Sequence, residues 1–597
     1  MKRLLLSVAM MASLVNLTTS ASAQIATGGL PLSVSKNLAA SVIQPETRAY
    51  SNPLNSEEAI NEIRQQGQQE QKQYVAKVIG TDVKFPESGV FHYLDNGQII
   101  WKAQIHIEGA PAIGLYLDNF DLPKGVNMYV YNANASQILG AYTTENVSPE
   151  DKLFAIQPVQ GNYVNIELNI EPFVNLNDIS LSIDNAAIHF EGISYLEQYR
   201  NPSEGVFIGA DPFGLQGRGA ECMIDAACYS ASDADVAKKA SIQTLYLDKR
   251  GQLVSMCSAS MINSLGNTKE NCNNYVLTAS HCQSNNLTRL GDTTNSAFSQ
   301  VLFRFNFEKL ACDAKNRAQV DVISAANFVA RSEYDGRLSA SGMPGDFLLL
   351  ELRIRVPSSY NAMLAGWDIN DQLVYPVNTG KQYVGFHHPS GDIKKVSWHN
   401  TILKSTKHIT INFPRDGSKG AVYGGTSGSG LFNTDNRIVG IASTASGAVT
   451  DCPNNTYNSL NYYKFASGYN YDLGIPTRNL KAWLDPFNTG ATTANATNTQ
   501  CEGLSIVSLD EGLEKGVNFY PNPSNTGLLN VKFDLENSQN VKLEVFNVMG
   551  AKVGELKVNN ITKGDYALDL TNLSSGVYMI KCSNGTAVST KKVTIAK

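Results

Sequence analysis

The sequence predicts an all-β protein whose central domain is a double β-barrel, and three segments carry that prediction. Tyr275-Val276-Leu277-Thr278-Ala279-Ser280-His281-Cys282 is an apolar strand that ends on a histidine beside a cysteine. Gly345-Asp346 leads into the apolar run Phe347-Leu348-Leu349-Leu350. Gly424-Gly425-Thr426-Ser427-Gly428-Ser429-Gly430 sets serine among glycines. An imidazole base, a carboxylate that holds its tautomer and an alcohol nucleophile are the parts of an acyl-transfer centre. The order His, Asp, Ser along the chain is the one used by two-barrel folds, whereas other folds order the same groups differently.

Taken singly, each segment has an ordinary structural role: a glycine-rich turn, a core histidine, a carboxylate at a strand end. Their conjunction, each in the backbone context its role needs, points to chemistry. His281 is the candidate base, Asp346 its orienting carboxylate and Ser427 the nucleophile. Ser280 and Ser429 are chemical rivals, but only Ser427 sits in a Gly-Gly-x-Ser-Gly run, and Ser429 is the main competitor. Glycines there allow a tight turn in which the N–H groups of Gly425 and Ser427 face one oxyanion.

At 597 residues the chain exceeds one ordinary core, so several domains are expected. Met1-Lys2-Arg3, an apolar run to Val15 and Ala21-Ser22-Ala23 read as a signal peptide over residues 1–23. No later stretch has the length and apolarity of a membrane-spanning helix. A net charge of −6 offers no basic face for nucleic acid. Cysteine is absent before Cys222, whereas eight lie from Cys222 to Cys501 and Cys582 is last. An exported segment with an even cysteine set suggests a disulfide-stapled domain, preceded by a part with a shorter working life. Residues 24–216 are accordingly read as a propeptide, β-rich from alternating runs broken by Asn-Gly and Pro-Lys-Gly turns. Gln65 to Gln73 reads as a solvated helix or linker.

With these pieces assembled, residues 217–490 resemble the lysyl endopeptidase family, secreted serine endopeptidases of chymotrypsin-like fold. Glu221-Cys222-Met223-Ile224-Asp225-Ala226-Ala227-Cys228 looks like the family's mature N-terminus, and Ala365-Gly366-Trp367-Asp368, His387-His388-Pro389 and Trp483-Leu484-Asp485-Pro486 look like its internal landmarks. The resemblance implies bridges Cys222–Cys452, Cys228–Cys312 and Cys257–Cys282, and a triad at His281, Asp346 and Ser427. Cys272 and Cys501 are left over by it, with pairing to each other one option.

Two departures bear on activation and specificity. Chymotrypsin-type zymogens mature when a new N-terminal amine pairs with an Asp just before the serine, and here that position is Thr426. Maturation is therefore expected to act by release of the propeptide, with a cut between Gly214 and Gly219 around Arg218. The Asp with which lysyl endopeptidases hold lysine aligns with Leu460, and counting back from Ser427 as in trypsin reaches Ala421. A buried lysine ammonium without a counter-charge is costly, so a neutral or apolar residue before the cut is favoured unless another acid, Asp451 or Asp472, reaches in. Ser443 is expected on the pocket wall, helping to orient Asp346.

A helix-like stretch from Thr477 to Asp485 is expected to close the second barrel, and the Thr-, Asn- and Ala-rich stretch after it opens a linker assigned to 491–517. Residues 518–597 read as a small β-sandwich with strands Leu529 to Phe533, Val541 to Phe546, Tyr566 to Leu570 and Val577 to Ile580. Phe519-Tyr520-Pro521-Asn522-Pro523, Val545-Phe546-Asn547-Val548-Met549-Gly550 and Leu573-Ser574-Ser575-Gly576-Val577-Tyr578 resemble the type IX secretion sorting domain of Gram-negative bacteria. That implies the type IX machinery as partner, passage through periplasm and outer membrane, and release or attachment to surface lipopolysaccharide. The function expected is hydrolysis of protein or peptide substrates through an acyl-enzyme, with no metal or organic cofactor. The alternatives are a lysine-specific enzyme using another acid and a non-catalytic surface-binding protein on a peptidase fold.

Overall fold

The computed structural model describes residues 26–38, 42–70, 72–191, 223–229, 234–283, 291–312, 320–334, 345–370, 382–399, 403–404, 406–413, 418–446, 459–502, 516–547, 552–583 and 588–597. The signal-peptide reading, the cut near Arg218, Asp451 and the Cys222–Cys452 pairing lie outside them.

Apolar strands dominate and pair antiparallel over long sequence distances. In the first barrel, strands run side by side in the order Asp321–Ser324, Leu302–Phe305, Ser241–Asp248, Leu253–Ile262, Tyr275–Thr278, Leu348–Leu352 and Ala326–Arg331. The first and last are consecutive stretches of one bent run joined at Ala325, whose φ of +73° makes the bend, so the row closes on itself. Leu253–Ile262 is buried at every position. Its apolar side chains fill the core, while Ser258 and Ser260 reach polar backbone groups of neighbouring segments.

The second barrel is ordered Lys395–His399, Tyr383–His387, Gly430–Phe432, Arg437–Ser446, Ser459–Lys464, His408–Asn412 and Leu403–Lys404. Again the ends of the row are successive in the chain. The protein is all-β and its central domain is a chymotrypsin-like double barrel. Cys228–Cys312, Cys257–Cys282 and Cys272–Cys501 are bonded.

Residues 47–189 form a two-layer sandwich. One layer holds Thr47–Tyr50, Ile99–Ile107, Tyr163–Ile170, Val126–Asn132 and Ile138–Tyr142; the other holds Gln73–Lys84, Ser180–His189, Ala112–Asp121 and Phe154–Gln160. Trp101, Ile105 and Ile166 of the first and Leu115, Leu117 and Ile183 of the second are buried in one core. This region is not merely a neighbour of the barrels. Strand Gln73–Lys84 pairs with Leu253–Met256, making the sandwich layer and first barrel one eleven-stranded sheet.

Three sequence readings change. Of Gln65 to Gln73, read as a solvated helix or linker, the part to Glu70 is a largely exposed stretch of helix Glu57–Glu70 with Gly67 buried, whereas Gln73 opens a core strand. The segment assigned as linker from 491 begins as part of the barrel domain. Thr493–Ala494 pairs with Trp367 and Asp368, Thr497–Asn498 pairs with Met363 and Leu364, and the Cys272–Cys501 bridge fastens the end. Open strand edges accept such short polar segments because backbone pairing asks little of side chains. Finally, the C-terminal unit, with its own core of Val531, Phe533, Leu543, Val545, Ile580 and Val593, is built from long strands, Leu528–Phe546 and Lys552–Asp569. All five strands of this unit belong to one sheet, and the long pair carries a register irregularity between Asp534 and Gln539, where the sequence reads as a break between two strands. The helix-like closing stretch is a 3-10 turn Pro476–Arg478 and a short helix Lys481–Leu484. Among the described residues no helix is long and apolar enough to cross a membrane.

Candidate active site

Strand pairing brings His281 to Asp346. Thr278 lies opposite Leu348 in antiparallel register, so the residues just beyond one strand and just before the other emerge at the same end of the barrel. His281 Nδ1 lies 2.8 Å from Asp346 Oδ2, and the His281 backbone N–H donates to Oδ1 at 3.1 Å. Ser443 hydroxyl donates to the same Oδ2. Asp346 is fully buried. Ser443 reaches it because of a bulge: pairing of Arg437–Ser446 with Ser459–Lys464 skips from Ala442 to Thr444, which turns Ser443 out of register.

The turn carrying His281 is braced from behind. Buried Arg331 donates to the Ser280 carbonyl at 2.8 Å, to the Asp292 carbonyl at 2.8 Å and to Gln283 Oε1 at 2.7 Å. Burial pulls that guanidinium down to about 10. The Cys257–Cys282 bridge holds the other side, and the Tyr334 ring stands 5.0 Å from the imidazole. Sequence reading missed Arg331 and Tyr334, which carry no local signature.

The serine loop turns on two glycines in left-handed conformation, Gly425 at φ +93° and Gly428 at φ +84°. A Cβ at Gly425 would sit 2.5 Å from Met256 Sδ, and one at Gly428 2.0 Å from Thr278 Oγ1, so no larger residue fits. Carbonyls in the loop are tied inward: Gly424 O accepts from Ser390 N–H at 2.7 Å, Gly425 O from Ser258 Oγ at 2.8 Å, and Ser427 O from Ser258 N–H at 2.8 Å. The N–H groups of Gly425 and Ser427 have no acceptor among the described residues, and both residues line a cavity of about 500 Å³ together with His281. Ser427 hydroxyl likewise has no hydrogen-bond partner among them, as is common before substrate tightens such a site. Both rivals are sequestered: Ser429 is fully buried off the cavity, and Ser280 hydroxyl is held by Arg331 and the Ser332 carbonyl.

Beyond Ser427 the cavity wall is formed by Val422, Tyr423, Ser443, Thr444, Ala445 and Leu460. Ala421, expected there, is buried but does not reach the cavity, because the wall is made by its neighbour Val422. Asp472 does not reach it either and pairs with Arg478 Nε at 3.2 Å. Leu460 is on the wall, in the apolar role its side chain dictates.

Residues 216–464 match the family model described as lysyl endopeptidase, C-terminal domain. Residues 518–596 match that of the secretion system C-terminal sorting domain. The chain carries both domains. No curated protein matches the chain. Among solved structures it is similar to the active form of the Rv3671c protease from M. tuberculosis, at 13% identity over 40% of this chain and 83% of that one, with TM-score 0.23. A serine endoprotease from Yersinia pestis overlaps at 11% identity over 61% and 95%, with TM-score 0.23. A Glu endopeptidase in complex with MPD overlaps at 13% over 40% and 89%, with TM-score 0.22.

The N-terminal region contributes to the rim of the cleft of the lysyl endopeptidase domain. Strand Gln73–Lys84 lies along its rim, with Gln73 opposite Met256 and Tyr74 opposite Ser255. Gln73 Oε1 stands 2.8 Å from where a Cβ on Gly424 would be, in contact with the serine loop. Its Nε2 donates to Glu191 Oε2 at 2.6 Å, and Arg64 Nε donates to Glu191 Oε1 at 2.8 Å. Glu191 is the one acid lining the cavity among the described residues, and it comes from the N-terminal region.

Proposed function

We propose that the chain is the precursor of an exported serine endopeptidase that cleaves peptide bonds through an acyl-enzyme on Ser427. The lysyl endopeptidase domain and the double-barrel fold support a secreted serine endopeptidase, and the sorting domain supports export by the type IX system with its machinery as partner. The observation that carries the finer reading is a buried Asp346 bonded to His281 at the edge of a cavity that Ser427 shares.

In this reading His281 takes the Ser427 proton as the oxygen attacks the substrate carbonyl. Asp346, held by the Ser443 hydroxyl, keeps Nδ1 protonated and stabilises the imidazolium. The N–H groups of Gly425 and Ser427 receive the oxyanion, an arrangement in which one donor is worth roughly 10²–10³ in kcat. The imidazolium then protonates the leaving amine, and water attacks the acyl-enzyme by the reverse proton path. The wall of Val422, Thr444, Ala445 and Leu460 suits a neutral or apolar residue before the cut.

Residues 24–216 act as a propeptide that keeps the full chain latent by filling the rim of the cleft, and release rather than a new amine starts activity. After sorting, the enzyme is released or held on surface lipopolysaccharide. Reaction of the matured protein with a serine-directed phosphonate tests the assignment: Ser427→Ala is expected to abolish both labelling and casein hydrolysis with an unchanged unfolding temperature. Labelling that persists in this variant would refute the nucleophile.

A further inference from the structure

Ser258 sits in mid-strand of the first barrel with no exposed surface, yet every polar group it owns is spent on the active-site loops. Its N–H donates to Ser427 O at 2.8 Å, and its carbonyl accepts from Thr278 Oγ1 at 2.9 Å, next to the His281 turn. Its hydroxyl lies 2.8 Å from Gly425 O and 2.8 Å from His388 N. The proton position follows from elementary bonding. A carbonyl can only accept and an amide N–H can only donate, so the hydroxyl gives its hydrogen to Gly425 and receives one from His388.

That bond acts where the loop is weakest. Gly424 and Gly425 have little intrinsic preference among backbone conformations, so rotation of their peptides meets little resistance from the residues themselves. Rotation of the Gly424–Gly425 peptide would aim a carbonyl where the Gly425 N–H is wanted, and rotation of the Gly425–Thr426 peptide would displace the amides of Gly425 and Ser427 on either side of it. Thr426 has no charge with which to tether the loop to an amine. Among the bonds that hold it, two fix the peptides flanking Gly425: Ser390 N–H on Gly424 O and Ser258 hydroxyl on Gly425 O. Ser258 is itself immobilised, since the adjacent Cys257 is bonded to Cys282 in the histidine turn.

We propose that Ser258 is a positioning residue that, from the opposite barrel, fixes the Gly425–Thr426 peptide and through it the oxyanion-binding amides of Gly425 and Ser427 on either side, so that base and anion site are registered by one strand. This rests on Ser427 being the nucleophile. The reacting atoms never touch Ser258; its effect passes through Gly425.

The test uses the full-length chain, matured, with Ser258→Ala, Ser258→Cys and Ser258→Thr. Removing the donor strands Gly425 O and His388 N–H without altering the cavity wall. Expected for Ser258→Ala is a fall of roughly 10- to 100-fold in kcat on a peptide amide with KM within about twofold, the pattern of a group that acts in the transition state only. Affinity for a peptide boronate, which places an oxygen on the anion site, is expected to fall in parallel, while affinity for the cleaved product peptide stays constant. Ser258→Thr, which keeps the hydroxyl, is expected to restore kcat, and Ser258→Cys, a weak donor of similar size that keeps the fold, to lie between. A wild-type kcat in folded Ser258→Ala or Ser258→Cys, or a loss confined to KM, overturns the proposal. If the wild-type chain itself takes no phosphonate on Ser427, the reading of the site fails instead, and the two failures are told apart.

Discussion

The hydroxyl of Thr426 lies 3.3 Å from Nδ1 of the fully buried His387, whose Nε2 is 3.3 Å from Ser397 Oγ. Burial pushes that imidazole down to about 3, with Lys395 adding to the effect, so it is neutral at ordinary pH. A neutral hydroxyl and a neutral ring occupy the place where an activation ion pair would need two charges. Thr426→Val removes a buried partner and is expected to cost about 1–2 kcal/mol in chemical denaturation. Blocking the mature N-terminal amine by acetylation is expected to leave kcat unchanged; a large loss would mean that an amine does dock.

Buried neutral histidines give a defined pH response. His189, His387 and His399 are each held near 3 by desolvation, against an ordinary 6.5. Unfolded chain therefore binds more protons than folded chain between these limits. Stability is intact above pH 6.5 and falls as pH drops toward 3, by up to about 1.4 kcal/mol per pH unit for each histidine. His399→Phe is the sharpest probe, because Nε2 of His399 is buried without a partner and the ring stands edge-on to Phe413. In the Ser427→Ala background, which prevents self-digestion, this variant is expected to lower the slope of stability against pH by close to one proton. An unchanged slope would exclude His399 as a contributor.

Arg64, Gln73 and Glu191 form a hydrogen-bonded network at the rim of the cleft, and the proposed latency makes a prediction about it. Glu191→Gln leaves Arg64 Nε without its carboxylate in a site where both side chains are nearly buried. Breaking one partner of such a pair is strongly destabilising locally, commonly about 3–5 kcal/mol. The lag before casein hydrolysis by freshly folded full-length chain is expected to shorten several-fold in Glu191→Gln. A lag as long as that of the parent would show that the network does not govern release.

Pocket chemistry predicts cleavage preference. Profiling cut sites in a denatured proteome is expected to place neutral or apolar residues before the cut, with lysine and arginine disfavoured. Leu460→Asp is expected to raise cleavage after lysine at least about tenfold, since a desolvated ammonium gains a counter-charge. Dominant cleavage after lysine by the parent enzyme would contradict the apolar wall.

The candidate site's three principal residues were legible in the sequence. His281, Asp346 and Ser427 stand out because the chemistry is local: a base must end a strand, and a glycine turn is needed wherever Cβ atoms would collide, as at Gly428. Arg331 and Ser258 were not legible, since each looks like any other strand residue until its partners, dozens to hundreds of residues away, are in place. Thr493–Ala494 and Thr497–Asn498 read as linker in the sequence because edge pairing leaves no mark on composition.

Alternating apolar runs, cysteine placement and three short motifs were enough by themselves to determine an all-β, disulfide-stapled double barrel with candidate chemistry at its cleft. Only the tertiary structure decided that the N-terminal sandwich shares a sheet with the first barrel and that Glu191 and Gln73 meet at the serine loop. The reason is physical: side-chain period and turn geometry are written residue by residue, whereas antiparallel partners are chosen by burial over the whole chain.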